Sequence, residues 1–152
     1  MSSRLWHPIG MENRGLWTLD EQGYELAMGG LAATARDYAR LGLLYLNGGM
    51  REDRRILPKG WVEASVTPNE PHLMPGENPQ SSSISGYQYQ WWTPSAWDGD
   101  YLARGIWGQN IYVHPGNRVV IVKLAADQKN FDPKFKLAYV DYLQDLAQSL
   151  SD

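Results

Sequence analysis

The sequence predicts an α/β (α+β) fold in which an antiparallel sheet is flanked by helices. Two amphipathic patterns with a helical period, at 35–46 and 134–150, indicate the helices. Between them lie apolar or alternating segments joined by short turns, which is typical of an antiparallel meander. Because the strands are few, we expect one helix to cover each face of the sheet.

Both helices carry clear boundary residues. Thr34-Ala35-Arg36-Asp37 has the form of a capping box, with a hydroxyl at the N-cap and an acid three residues on. Asn47-Gly48-Gly49 is expected to end this helix, since these residues tolerate positive φ. Asp132-Pro133 predicts the start of the second helix, because a cap is followed by Pro at the first position.

Four extended segments are predicted, at 87–92, 101–104, 110–114 and 119–124. The first alternates aromatic and polar residues, as a half-buried strand does. The last is continuously apolar, which predicts a central strand buried on both faces. Asp98-Gly99 indicates a hairpin turn.

The remaining segments have no sustained period. Residues 1–30 are predicted to be irregular, and Pro58 is expected in the first turn of a short helix that carries Trp61. Residues 67–85 contain four prolines and form a long loop, and loops of this length are usually functional or mobile.

Composition excludes several function classes. The chain has 152 residues, enough for about one domain, and a formal charge of −3, which disfavours a nucleic-acid binder. No apolar run reaches the roughly 18 residues of a spanning helix. The absence of Cys excludes disulfides and thiolate zinc sites. The first residues lack the apolar stretch of a signal peptide, and we expect none in this chain.

The common nucleophile motifs do not occur in the chain. No Ser is followed by Lys three residues on, and the G-x-S-x-G elbow is absent. His7, His72 and His114 are far apart in sequence, so we expect no metal site, and no cofactor is implied. Tyr45-Leu46-Asn47 matches a Y-x-N pattern, but its place at a helix end favours a packed Tyr and a capping Asn.

Two segments have both a functional and a structural interpretation. The glycines of Gly105-Ile106-Trp107-Gly108-Gln109 allow close approach of a ligand or another backbone, and a bulge is the alternative. The Tyr and Trp residues at 87–92 could stack on sugars or bases, and sheet core is the alternative.

Three segments together resemble the serine β-lactamase-like hydrolases, which include class C β-lactamases, carboxylesterases of that fold and 6-aminohexanoate-dimer hydrolases. They occur in the family's order along nearly the whole chain. The segments are Leu5-Trp6-His7-Pro8-Ile9-Gly10-Met11-Glu12, then the helix GGLAATARDYARLG at 29–42, and then ARGIWGQ at 103–109 followed by IYVHP at 111–115.

The resemblance implies an active site between an α/β sheet domain and a helical domain, where a Ser one turn before a Lys forms an acyl-enzyme. Ala103-Arg104-Gly105 matches the family's strand triplet, so the N–H of Ile106 would be the catalytic oxyanion donor. The predicted substrate-binding residues are Arg104, Gly105, Trp107 and Gln109, of which Trp107 and Gln109 would flank the pocket or brace the strand. Arg104 replaces the more usual His or Thr, so no proton role is transferred to it.

The resemblance covers only the family's C-terminal part. We therefore expect residues 1–152 to be a single partial domain, with the Ser-x-x-Lys helix and the catalytic Tyr upstream of Met1. The parent would cleave a small-molecule amide or ester, and the chain alone would be inactive. Its partners would be the missing N-terminal half or a second copy, bound through apolar surface left exposed on the sheet and on helix 134–150.

A function from another class is the alternative. The chain has seven Trp and nine Tyr, an excess of amphipathic aromatics. It could be a non-catalytic binding module for sugars or peptides, and the stacking residues would then be Trp91, Trp92, Trp97 and Trp107.

Overall fold

The computed structural model describes residues 2–79, 81 and 83–150. The elements in chain order are β1 (Leu16–Trp17), β2 (Leu31–Ala32), α1 (Ala35–Leu46), β3 (Met50–Arg51), β4 (Arg54–Arg55), α2 (Trp61–Val66), β5 (Gly86–Gln88), β6 (Trp91–Thr93), β7 (Tyr101–Arg104), β8 (Asn110–His114), β9 (Val119–Lys123) and α3 (Pro133–Ser149). The main sheet is antiparallel and runs β5-β6-β7-β8-β9 in chain order. The predicted fold class is confirmed.

One long helix covers each face of this sheet, as predicted. Alternate residues of β8 point to opposite faces, so Ile111 and Val113 pack with α1 while Tyr112 packs with α3. On the α3 side, Leu143 and Ala147 belong to the same apolar cluster as Tyr112. The two helices thus form the two outer layers of a three-layer arrangement.

The boundaries of both helices agree with the caps in the sequence. The Thr34 hydroxyl accepts the N–H of Asp37 at 3.2 Å, and the Asp132 side chain accepts the N–H of Lys134 at 2.9 Å. Gly42 lets α1 approach the sheet, since a Cβ there would lie 2.5 Å from Cγ1 of Val120. Helix α1 is therefore seated directly on β8 and β9.

The strand predicted at 87–92 is wrong in one respect, because it is a tight hairpin. Strands β5 and β6 pair across the turn residues Tyr89 and Gln90, whose φ angles are +36° and +73°. Gly, Asn or Asp usually occupy such positions, and none is present to mark the turn. The alternation of apolar and polar residues therefore continued through a reversal of chain direction.

The prediction of a central strand at 119–124 is also wrong. Strand β9 is the last strand of the sheet and pairs only with β8 among the described strands. All five of its residues are half-buried. Helices α1 and α3 cover its two faces, which explains the continuous apolar run, but a covered face does not require a neighbour on both edges.

Residues 2–30 are more ordered than predicted. A π-helical turn spans Ser2–Trp6, and β1 pairs with β2. In the predicted loop, a short 3₁₀ turn occupies Pro71–Leu73, while Gln80 and Ser82 lie outside the described residues. Within the described part of the chain, no helix is long and apolar enough to cross a membrane.

Candidate active site

The candidate site is the loop 105–109, which joins β7 to β8. Strand pairing ends at Arg104 and Asn110, which lie opposite each other. Gly105 donates its N–H to the carbonyl of Gln109 at 2.8 Å, and Gly108 donates to the carbonyl of Gly105 at 3.1 Å. Gly108 has a φ of +86°, a conformation that favours glycine. The result is a compact turn beyond the end of the sheet.

The side chain of Gln109 folds back into this turn. Its Oε1 accepts the N–H of Trp107 at 3.2 Å, and its Nε2 donates to the carbonyl of Ala125 at 2.6 Å. A Cβ on Gly105 would overlap Oε1 of Gln109. The glycine in the turn therefore makes room for the protein's own carboxamide.

Ile106 lies at the tip of the turn, and its side chain is 68% exposed. Among the described residues, no group accepts a hydrogen bond from its backbone N–H. Its carbonyl accepts from Nδ2 of Asn130 at 3.0 Å, and the carbonyl of Trp107 accepts the N–H of Asp127 at 2.9 Å. These two carbonyls thus tie the turn to the segment at 127–130, while the N–H of Ile106 has no described acceptor.

Arg104 brings a cation to the same end of β7. Its guanidinium lies 5.6 Å from the ring centre of Trp92, within the range of a cation–π interaction. No described residue forms an ion pair or hydrogen bond with this guanidinium. Burial lowers the pKa of Arg104, but an arginine keeps its proton at neutral pH. Arg104 therefore carries a half-buried positive charge that has no acidic partner in the described structure.

These groups border a groove of about 610 Å³ between the end of β7 and the start of α3. Its lining consists of Ser83, Ile84, Ser85, Trp92, Arg104, Gly105, Ile106, Asn130, Phe131, Pro133, Lys136 and Leu137. Two of these residues are cationic and none is acidic. The groove therefore combines an apolar wall with two cations, and one of its lining residues is Ile106, whose N–H has no described acceptor.

The five predicted site residues lie in one short segment of the sequence, and the structure shows that they differ in what they contact. Arg104, Gly105 and Ile106 line the groove. Trp107 packs edge-to-face on Phe131 at 5.2 Å, and Gln109 bonds to the backbone. The contacts of Gln109 therefore fit the expected role of bracing the strand better than a role in binding substrate. The functional assignments of all five residues remain predictions.

Sequence reasoning did not identify Asn130 and Lys136 as site residues. They follow Gly105 by more than twenty positions and belong to no motif, so only their contacts identify them. Helix α3 positions Lys136 one turn after its start, while Asn130 lies in the 3₁₀ turn Gln128–Phe131 that precedes the helix. Their positions depend on the path of the chain from β9 to α3.

The four tryptophans of the alternative function do not form one surface. Trp91 is 5% exposed and packs on Tyr45 at 4.4 Å. Trp92 lies on the opposite face, and Nε1 of Trp97 is buried without a described partner.

Tyr45 packs against the apolar cluster between α1 and the sheet, and Asn47 is the C-cap of the helix. The structural interpretation of the Y-x-N pattern is therefore confirmed.

Comparison with known proteins shows which family the chain resembles. The sequence model of the family described as Beta-lactamase matches residues 1–145. A 6-aminohexanoate-dimer hydrolase of Paenarthrobacter ureafaciens is 35% identical over 127 residues, which is 83% of this chain and 32% of the relative. A Bacillus anthracis structure with the provisional name 6-aminohexanoate-dimer hydrolase is 34% identical with a TM-score of 0.83, over 98% of this chain and 37% of that one.

A more distant structure, provisionally named a beta-lactamase, comes from Bacteroides dorei DSM 17855. It is 18% identical with a TM-score of 0.54, over 85% of this chain and 44% of that one, and it supports the fold alone. The chain thus spans about a third of the length of the two 6-aminohexanoate-dimer hydrolases that it matches. Its match to the family sequence model, together with these relatives, shows that the chain belongs to the beta-lactamase family, the serine β-lactamase-like hydrolases.

Proposed function

We propose that the chain is the C-terminal portion of a serine hydrolase and supplies the oxyanion side of its active site. The parent cleaves an amide or ester bond of a small molecule through an acyl-enzyme. The observation that carries this proposal is the N–H of Ile106, which has no described acceptor and belongs to an exposed residue that lines a cationic groove. Backbone N–H groups fixed in this way stabilise the oxygen that becomes negative in acyl transfer.

The chemistry needs one group from outside these residues. A serine hydroxyl attacks the substrate carbonyl, its proton passes to a base, and the carbonyl oxygen becomes an oxyanion. The chain contains no Ser-x-x-Lys pair, so we propose that the rest of the parent supplies the nucleophile. The N–H of Ile106 then donates to the oxyanion, and the positive charge of Arg104 stabilises it further.

The decisive experiment removes the N–H of Ile106 in the full-length parent. We expect Ile106→Pro to lower kcat for a p-nitrophenyl ester by about a hundredfold or more, because one oxyanion donor is lost. Ile106→Ala is the matched control, since it removes the exposed side chain and keeps the N–H. Thermal melting of both variants shows whether the fold is intact. Wild-type kcat in a folded Ile106→Pro variant would refute the proposal.

A second experiment tests the isolated chain. Without a serine nucleophile, the purified 152-residue protein is expected to release p-nitrophenol at the buffer rate and without an initial burst. A burst whose amplitude equals the protein concentration would show that the chain carries its own nucleophile. In that case the proposal that the parent supplies it would be wrong.

A further inference from the structure

The turn at 105–109 contains two adjacent backbone N–H groups that differ in their hydrogen bonding. The N–H of Ile106 has no described acceptor, while the N–H of Trp107 is bonded to Oε1 of Gln109. A five-residue connection has several possible conformations, and they differ in which N–H is free. The contacts that hold the turn in this conformation therefore also determine which N–H can donate to an oxyanion.

The side chain of Gln109 makes one hydrogen bond inside the turn and one to a segment outside it. Oε1 holds the N–H of Trp107 from inside the turn. Nε2 holds the carbonyl of Ala125, which is 16 residues away in sequence and follows β9. The carboxamide therefore fixes the turn relative to the segment that leads into the groove wall.

Gly105 is the steric counterpart of this contact. A Cβ at position 105 would overlap Oε1 of Gln109 and come within 3.0 Å of its Cβ and Cδ. The turn thus accepts the carboxamide only because residue 105 has no side chain. Loss of either partner, the glycine or the glutamine, should disturb the same contact.

We propose that Gln109 is a positioning residue that holds the turn in the arrangement that leaves the N–H of Ile106 free. The inference rests on the proposed function, because Ile106 is the oxyanion donor there. Gln109 itself does not touch the reacting atoms. It acts by occupying the N–H of Trp107 and by tying the turn to Ala125, and in this arrangement the N–H of Ile106 has no described acceptor.

The first test needs no activity. In the 152-residue protein, hydrogen exchange followed by NMR reports the protection of the Trp107 amide against that of Val113 in the core strand β8. We expect Gln109→Ala to lower the protection of Trp107 by about tenfold and to leave Val113 unchanged, because one hydrogen bond is lost locally. Gly105→Ala is expected to have the same effect.

Gln144 provides the matched control. Its Nε2 also donates to a backbone carbonyl, that of Ala96 at 3.0 Å, but near the opposite end of β7. Gln144→Ala is therefore expected to leave Trp107 protected. Unchanged protection of Trp107 in Gln109→Ala would overturn the proposal, and so would equal loss of protection in the control.

Gln109→Glu adds a readout that simple loss of stability would not produce. The ionised carboxylate cannot donate to Ala125, and repulsion from that carbonyl oxygen is expected to move it out of the turn, while the protonated acid can bond to both Ala125 and Trp107. We expect the protection factor of Trp107, relative to Val113, to be low at pH 7 and to recover below about pH 4. A pH-independent ratio in this variant would contradict the role of the Nε2 donor.

The catalytic part is tested in the full-length parent. We expect Gln109→Ala to lower kcat about tenfold with KM unchanged, since substrate binding does not involve the carboxamide. Loss of Trp107 protection with an unchanged kcat would limit Gln109 to stabilising the turn and overturn the positioning role. If the unsubstituted parent hydrolyses no ester or amide, the proposed function fails with the positioning role, while the exchange data still decide whether Gln109 holds the turn.

Discussion

Two buried carboxylates show how the environment of a single residue sets its charge. Asp37 is buried, which alone raises its pKa. Hydrogen bonds from the N–H of Glu12 at 2.8 Å, from the Thr34 hydroxyl at 2.8 Å and from Asn13 outweigh this effect and lower the pKa. The ionised Asp37 thus fastens the loop at 12–13 to the start of α1.

Asp37→Asn is expected to destabilise the fold by about 2–3 kcal/mol at pH 7, because hydrogen bonds to a charged acceptor are lost. The folded pKa lies below the unfolded value, so the contribution of Asp37 is present above about pH 4 and is lost as the pH falls through the folded pKa. Urea unfolding at several pH values measures the difference from wild type. A difference that stays constant down to pH 2.5 would contradict this role, and exposed Asp141→Asn is the control.

Asp100 has the opposite behaviour. Burial raises the pKa of Asp100 most, and the nearby charge of Asp98 raises it further. Hydrogen bonds from the Tyr112 hydroxyl, at 2.7 Å, and from Gln144 lower the pKa but only partly offset this rise. One carboxylate oxygen of Asp100 is buried without a described partner. The ionised form is therefore disfavoured in the folded protein.

The raised folded pKa of Asp100 predicts that its ionisation costs stability. Above the unfolded pKa of about 4, wild type should lose stability progressively as the pH rises towards the folded pKa. Asp100→Asn should lack this loss and be at least as stable as wild type at pH 8. Urea unfolding from pH 4 to pH 8 compares the two slopes with that of Asp141→Asn. A steeper loss in Asp100→Asn than in wild type would refute the interpretation.

At the scale of elements, the packing of α1 on the sheet depends on one close contact, between Gly42 and Val120. Gly42 costs helix propensity, but its missing Cβ lets the helix rest on the Val120 side chain of β9. The close contact explains why the least helical residue type apart from Pro lies in the middle of a regular helix. Packing against the sheet outweighs local preference here.

Gly42→Ala is therefore expected to destabilise the protein by about 1–3 kcal/mol, although Ala is the better helix former. A Cβ would lie 2.5 Å from Cγ1 of Val120 and 3.1 Å from Cγ2 of Ile111. Thermal unfolding measures the loss, and adding Val120→Ala should restore part of it. Exposed Leu43→Ala in the same helix is the control. An increase in stability for Gly42→Ala would show that the helix can shift without cost.

At the scale of the whole molecule, the described sheet ends in a strand that has one unpaired edge. Strand β9 is half-buried along its length and has no described neighbour beyond β8. Several apolar side chains elsewhere are also exposed, among them Tyr142 within α3 and Leu150 at its C-cap. Open strand edges with apolar surroundings favour pairing with further chains.

The isolated chain is therefore expected to self-associate. Light scattering after size exclusion should show a mean mass that rises above 17.2 kDa as the concentration increases. The full-length parent should show a smaller rise, because we propose that its additional residues cover this surface. A constant mass of 17.2 kDa over the concentration series would refute this prediction.

Local patterns in the sequence determined both long helices and their ends. The apolar period, the Thr34 cap and the Asp132-Pro133 start are properties of a few neighbouring residues, and the structure agrees with each. The candidate site at 103–109 was predicted from its resemblance to a family motif, because the glycine pattern alone left a bulge as the alternative, and the roles of its residues stay predictions. Where a feature depends on neighbours within a turn or two and its residue types are typical of it, the sequence by itself was sufficient.

Only the tertiary structure decided how distant segments meet. The chain reversal at Tyr89 and Gln90 uses positive φ at residues that do not favour it, so no local pattern marks it. The position of β9 at the edge depends on pairing, whereas its apolar run reflects only that both faces are covered. The bonds of Gln109 to Ala125 and of Asn130 to Ile106 join residues 16 and 24 positions apart, and the path of the whole chain fixes such contacts.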